Sequence, residues 1–275
     1  MSEHKSNSFE AFKKSDYLSY KHKNYFPIYD EVFGRYKDKK NITFVEVGIF
    51  NGGSLFMWRD FFGPDARIIG IDFNPDAIKW RDHGFEIFIG DQSDPNFWKN
   101  FFSEVGMIDI LLDDGGHTNK QQIMTFQESV HYVKDGGVIL VEDVHTNYQP
   151  EFGNPSRFSF VSYTKKLVDK INYRFPIVSL GRQHGVDYLV HSIIFYESIV
   201  VFNINRKLAV NNVAIDNGKG ESTAVDYRNY GTFQALINRF GSRIGLVNSI
   251  PMSLKRLIKF AINSPKNLLL WKFFK

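Results

Sequence analysis

The stretch Asp109-Ile110-Leu111-Leu112-Asp113-Asp114-Gly115-Gly116-His117 sets two carboxylates, two glycines and an imidazole behind an apolar run. Further on, Val138-Ile139-Leu140-Val141-Glu142-Asp143 repeats the design, with His145 following. An apolar run ending in acids reads as a buried strand that delivers its chemistry at the carboxyl end, where open α/β sheets bind ligands. If the two strands are neighbours, their acids and imidazoles converge at one sheet edge. Unpaired negative charges at that density repel one another, so a cation is the natural occupant.

The elements that would position these groups follow in order. Residues 1 to 41 read as a helical, polar-aromatic segment. Thr43 to Gly48 is the first strand, and the loop Ile49 to Ser54 leads into a helix over Leu55 to Phe62 with Ser54 as its cap. Arg67 to Asp72 and Phe85 to Ile89 are the second and third strands; the Asp109 stretch is the fourth, and Val138 to Val141 the fifth. Between the last two, Ile123, Phe126, Val130 and Val133 recur at helical spacing over Asn119 to Val133. Ser162 to Tyr173 reads as a helix, and His191 to Tyr196 with Ile199 to Ile204 as a hairpin turning at Glu197-Ser198. This alternation predicts an α/β chain with a mostly parallel sheet, helices on both faces and an antiparallel closure.

Gly48, Gly52 and Gly53 do not have the GxGxxG spacing that brings a pyrophosphate to a helix amino terminus. Glu46, two positions before Gly48, would repel a pyrophosphate and attract an ammonium. Asp72 closes the second strand, where a carboxylate suits a ribose diol, and Asp91 with Gln92 after the third strand suits an adenine edge. Taken singly, Gly48 is a turn and Asp72 a helix cap. In sequence they describe an adenosine bearing an amino acid, S-adenosylmethionine. The candidate cofactor contacts are Glu46, Gly48, Asn51, Gly52, Ser54, Asp72, Asp91, Gln92 and Asp113.

Over residues 20 to 148 the chain resembles the class I S-adenosylmethionine-dependent methyltransferases, and more narrowly the metal-dependent macrolide-sugar O-methyltransferases of the mycinamicin and tylosin type, with the related cephalosporin-hydroxylase-like proteins. The residues that carry the resemblance are Lys21-His22-Lys23-Asn24-Tyr25 with Tyr29, Val45 to Leu55, Met57-Trp58, Gly70-Ile71-Asp72, Gly90-Asp91-Gln92, Asp113 to His117, and Glu142 to Tyr148. The resemblance implies a Rossmann-like class I fold and magnesium held by Asp114, Glu142 and Asp143. It also implies His117 as general base. His145 is a second candidate for catalysis, with substrate contact or a plain loop role as its alternatives. His22, Tyr25 and Tyr148 are candidate substrate contacts, while His83, His131, His184 and His191 read as structural. The expected reaction is magnesium-assisted methylation of a sugar hydroxyl on a nucleotide-linked sugar, a glycan or a glycosylated natural product. Its rivals are a metal-dependent glycosyltransferase and a cofactor-binding partner of another biosynthetic enzyme.

Composition bounds this further. The chain of 275 residues is 43% hydrophobic and contains no cysteine, which excludes disulfides, thiolate catalysis and Cys-ligated zinc. Met1 to Lys14 lacks the apolar core of a signal peptide, and no apolar run approaches the roughly 20 residues of a membrane span, so a soluble cytoplasmic protein is expected. Net charge is +4, yet Gly231 to Lys275 holds eight of the 34 basic residues and none of the 30 acids. Pro251 to Asn263 reads as a basic amphipathic helix, and the tail either packs on its own domain or a second subunit, or meets anionic lipid at a membrane surface. No nucleic-acid-reading module accompanies the basic residues. The expected organisation is a lid or substrate segment over 1–41, a catalytic domain over 42–205 and an extension over 206–275, in a homo-oligomer.

Overall fold

The computed structural model describes residues 7–37, 39–152, 157–174, 185–210 and 213–220. The chain divides into compact units at residues 1–214 and 215–275. The first contains the whole sheet. Its strands are β1 (Thr43–Val47), β2 (Arg67–Asp72), β3 (Glu86–Ile89), β4 (Ile108–Asp113), β5 (Val133–Val141), β6 (Val190–Tyr196) and β7 (Ile199–Ile204). Their spatial order is β3-β2-β1-β4-β5-β7-β6. The first five run parallel, and β7 enters antiparallel against β5 and carries β6 at the edge.

Strand alternation sorts the apolar runs onto two faces. Phe44, Ile68, Ile110, Leu112, Val138 and Leu140 pack with helices α1 (Asn7–Lys14), α2 (Tyr25–Phe33) and α3 (Gly53–Phe62). Val45, Val47, Ile69, Leu111, Ile139 and Val141 pack with α4 (Pro95–Val105), α5 (Asn119–Ser129) and α6 (Phe160–Tyr173). Burial on both faces explains why these strands read as continuous apolar runs.

Register then brings the chemistry to one edge. Val47 is opposite both Ile71 and Asp113, and Asp113 is opposite Val141. The residues just past these positions, Gly48, Asp72, Asp114 and Glu142, therefore share the carboxyl edge of the sheet.

Several expectations shift in detail. Helix α3 begins at Gly53 with Gly52 as its cap and no side-chain capping bond; Ser54 turns inward to Glu46 instead. Helix α5 stops at Ser129, and Val133 opens β5, which is longer than Val138 to Val141. Helix α4 was not among the sequence expectations, although Asp94 caps it through Asn96 N, Pro95 starts it and Gly106 ends it. The expected break at residue 206 falls inside the first unit, where Arg206 binds Asp135 and the carbonyls of Val133 and His131. The proposed tail helix, Pro251 to Asn263, lies outside the described residues, as does His184.

Trp98 on α4 is fully buried among Phe97, Phe101 and Phe102, and its Nε1 donates to the Gln92 carbonyl at 2.9 Å. The helix thereby fixes the loop that follows β3. Trp98→Ala is expected to lower stability by about 3–5 kcal/mol, read as a fall in the urea midpoint.

Candidate active site

Each acidic strand end divides its two carboxylates between interior and cleft. Asp113, the last residue of β4, is 1% exposed, and its Oδ1 accepts from Gln92 Nε2 at 3.0 Å and from Gly115 N at 3.2 Å. Burial raises its pKa, against the hydrogen bonds that lower it. Asp114 faces the cleft. Glu142, after β5, is also 1% exposed, with Oε1 accepting from Tyr29 Oη and Oε2 from Lys21 Nζ at 3.1 Å. Asp143 is turned outward by a left-handed backbone at φ 53°.

Lys21 ties this arrangement together. Its side chain is 1% exposed, and Nζ lies 2.6 Å from Asp114 Oδ2 and 3.5 Å from Glu46 Oε1. Burial pulls the lysine pKa down, but Asp114, Glu142 and Glu46 more than reverse this and hold it well above 10.5. Burial pushes Glu142 and Glu46 up, against the lowering effect of Lys21. Glu46 completes its shell with Ser54 Oγ at 2.7 Å and Trp58 Nε1 at 3.2 Å. Glu46 was expected to attract an ammonium, and the ammonium it faces belongs to the chain itself.

On the cleft side, His117 Nε2 is 3.4 Å from Asp143 Oδ2, while His117 Nδ1 is buried without a hydrogen-bond partner. Donor atoms of Asp114, His117 and Asp143 lie within 4.8 Å of one another, as do those of His22, Asp143 and His145. Tyr25 Oη donates to Asp143 Oδ1 at 2.6 Å and lies 2.8 Å from Ser198 Oγ. Burial and the hydrogen bond to Asp143 raise the Tyr25 pKa, so the phenol stays protonated as a donor. Ser198 Oγ also meets His145 Nδ1 at 2.6 Å. Ser198, at the β6–β7 turn with φ 64°, was missed in the sequence because a serine in a hairpin carries no sign of what it faces.

The same cleft runs along the ends of β1, β2 and β3. It is lined by Gly48, Asn51, Ser54, Asp72, Asp91 and Gln92, and it continues to Asp114, His117 and Asp143. Gly48 has φ +81°, and a Cβ there would lie 2.1 Å from the Asp114 carbonyl oxygen. Asp72 Oδ2 accepts from Ile49 N and Phe50 N, and Oδ1 from Asn74 N, which leaves lone pairs toward the cleft. Gln92, expected at the adenine edge, lines the cleft, and its side-chain amide bonds Asp113, Thr125 and Gly116 N. Asp91 binds Ser93 N and Oγ. Among the expected contacts, Glu46, Gly52, Asp113 and Glu142 do not line this cleft. Gly52 packs against Trp80, and Tyr148 is 63% exposed at the end of a turn.

The sheet order and this strand-end cleft decide the fold. It is that of the class I methyltransferases. Residues 45–144 match the family model described as a methyltransferase domain. The chain is 31% identical over 171 residues to demethylmacrocin O-methyltransferase of Streptomyces fradiae, an alignment covering 58% of this chain and 42% of the relative. It is 33% identical over 164 residues to mycinamicin VI 2''-O-methyltransferase of Micromonospora griseorubida, covering 54% and 39%. The chain thus spans under half the length of these relatives. The MycE methyltransferase of the mycinamycin biosynthetic pathway, solved in complex with Mg and SAH, superposes with a TM-score of 0.65 at 25% identity, over 85% of this chain and 58% of that one.

Tyr29 is fully buried, and its hydroxyl is a charge-assisted partner of Glu142. Tyr29→Phe is expected to cost about 1.5–3 kcal/mol with little change in the circular dichroism spectrum, as measured by urea unfolding.

Proposed function

We propose that this chain is an S-adenosylmethionine-dependent O-methyltransferase that acts, with magnesium, on a sugar hydroxyl of a glycosylated small molecule. The observation that carries the reading is that a single cleft joins the class I cofactor positions to the Asp114–His117–Asp143 centre. The relatives named above support the acceptor class. The matched methyltransferase domain argues against a glycosyltransferase.

Donor atoms of Asp114 and Asp143 within 4.8 Å of each other suit a hard divalent ion completed by water or substrate oxygen, with the His117 imidazole beside it. Asp114 and Asp143 would hold magnesium, which lowers the pKa of a coordinated hydroxyl when bound. Glu142, the third expected ligand, is held by Lys21 and Tyr29.

The chain's own residues supply the rest. Asp72 and the backbone around Gly48 orient the methyl donor. His117 accepts the proton of the acceptor hydroxyl as its oxygen takes the methyl group, and S-adenosylhomocysteine departs. The cleft-side Nε2 takes that proton, and Asp143 Oδ2, 3.4 Å away, steadies the imidazolium. Tyr25 fixes the other carboxylate oxygen, and His22 and His145 border the acceptor side. Proximity contributes much of the rate, because the sulfonium methyl is already activated.

Among the described residues no helix is long and apolar enough to cross a membrane. A cytoplasmic setting, self-association, and contact of the basic tail with an anionic membrane face complete the proposal; the tail's composition supports the last.

Calorimetric titration of S-adenosylhomocysteine is expected to show micromolar binding, weakened about tenfold or more by Asp72→Ala through loss of a charge-assisted contact. Methyl transfer to mycinamicin VI, the acceptor in the name of one relative, is expected to stop with EDTA and resume with magnesium. Absence of cofactor binding would sink the reading, and indifference to chelator would remove the metal from it.

A further inference from the structure

Asp114, Glu142 and Glu46 already share a cation. Lys21 Nζ sits 2.6, 3.1 and 3.5 Å from one oxygen of each, on a side chain that is 1% exposed. Three ammonium hydrogens can serve these three acceptors. We propose that Lys21 is a built-in competitor of the divalent ion: its ammonium holds the ligand positions of Asp114 and Glu142, and an ion that takes both carboxylates must displace it. The inference rests on the magnesium part of the proposed function.

Size and charge require the exclusion. A magnesium ion binds its oxygens at about 2.0–2.1 Å, so an ion bridging Asp114 Oδ2 and Glu142 Oε2 would occupy the place of Nζ. The ammonium and the ion would then be two cations in near contact in a buried site, where water screens their repulsion little. With Lys21 in place, the groups that remain among the described residues are Asp114, His117 and Asp143, and His22, Asp143 and His145.

Displacement would also be felt along the chain. Lys21 belongs to the connection between α1 and α2, whose Ser19 and Tyr20 line the cofactor cleft. The same connection includes His22, 3.6 Å from Asp143, and leads into Tyr25, which binds Asp143. A divalent ion that evicts Lys21 therefore loosens the segment bordering both the methyl donor and the acceptor, and the strength of the lysine contact sets the affinity for the ion.

The test uses Mn2+ alone as the probe on the full chain, without cofactor or acceptor, with free Mn2+ read by electron paramagnetic resonance. Lys21→Met is expected to bind Mn2+ about tenfold or more tightly than wild type, within the usual range for coupled sites. Equal or weaker affinity overturns the proposal. Because the variant leaves three carboxylates without their internal cation, a second measurement uses the wild type only: hydrogen exchange over residues 15–24 is expected to accelerate on saturation with Mn2+. Unchanged or slower exchange, with Mn2+ bound, overturns this inference alone. Failure of both proteins to bind Mn2+ overturns it together with the magnesium reading, while leaving cofactor binding to be judged by the S-adenosylhomocysteine titration.

Discussion

The contact between the Lys21 ammonium and the carboxylates of Asp114, Glu142 and Glu46 is the interaction on which the site depends. Burying carboxylates at the ends of three adjacent strands is costly unless each is paired and hydrogen-bonded. Lys21 supplies the charge, and Tyr29, Ser54 and Trp58 supply the remaining donors. These partners come from the α1–α2 connection, α2 and α3. The amino-terminal segment is thus part of the site's electrostatics, beyond any role as a cover.

A division of labour recurs at both acidic strand ends. The first acid of each pair, Asp113 or Glu142, is buried and accepts hydrogen bonds from the surrounding chain. The second, Asp114 or Asp143, faces the cleft. In β4 this follows from strand alternation across Asp113 and Asp114. After β5 it needs the left-handed backbone at Asp143, a conformation uncommon outside glycine that aspartate adopts more readily than most residues. Strain of that sort, placed where a carboxylate must be aimed at an imidazole, fits a functional position.

Strands and acids were readable from the sequence because their signals are local. A buried parallel strand announces itself as an apolar run, and its end as a glycine or acid, so the sheet, the hairpin at Glu197-Ser198 and the edge carrying Asp72, Asp114 and Asp143 all follow. Orientation was not readable. Nothing near Gln92 shows that its amide turns toward Asp113, and nothing near Glu46 shows that its partner lies at Lys21. Ser198 and Lys21 act across separations of 53 and 93 residues, on His145 and Asp114 respectively. Helix α4 is a different matter, since Asp94-Pro95 and Gly106 are local signals that were there to be used. The boundary near residue 206 was read from polarity, whereas Arg206 is held by contacts to the start of β5.

Gly48 has a bearing on how the two halves of the cleft communicate. Its α-carbon abuts the Asp114 carbonyl so closely that even a methyl group cannot be inserted. Two loops in such contact behave as one mechanical part: a displacement of the turn at Gly48 is transmitted by hard-core repulsion to the backbone that carries Asp114, and the reverse holds equally. The ends of β1 and β4 are therefore coupled directly through backbone contact, with no side chain between them.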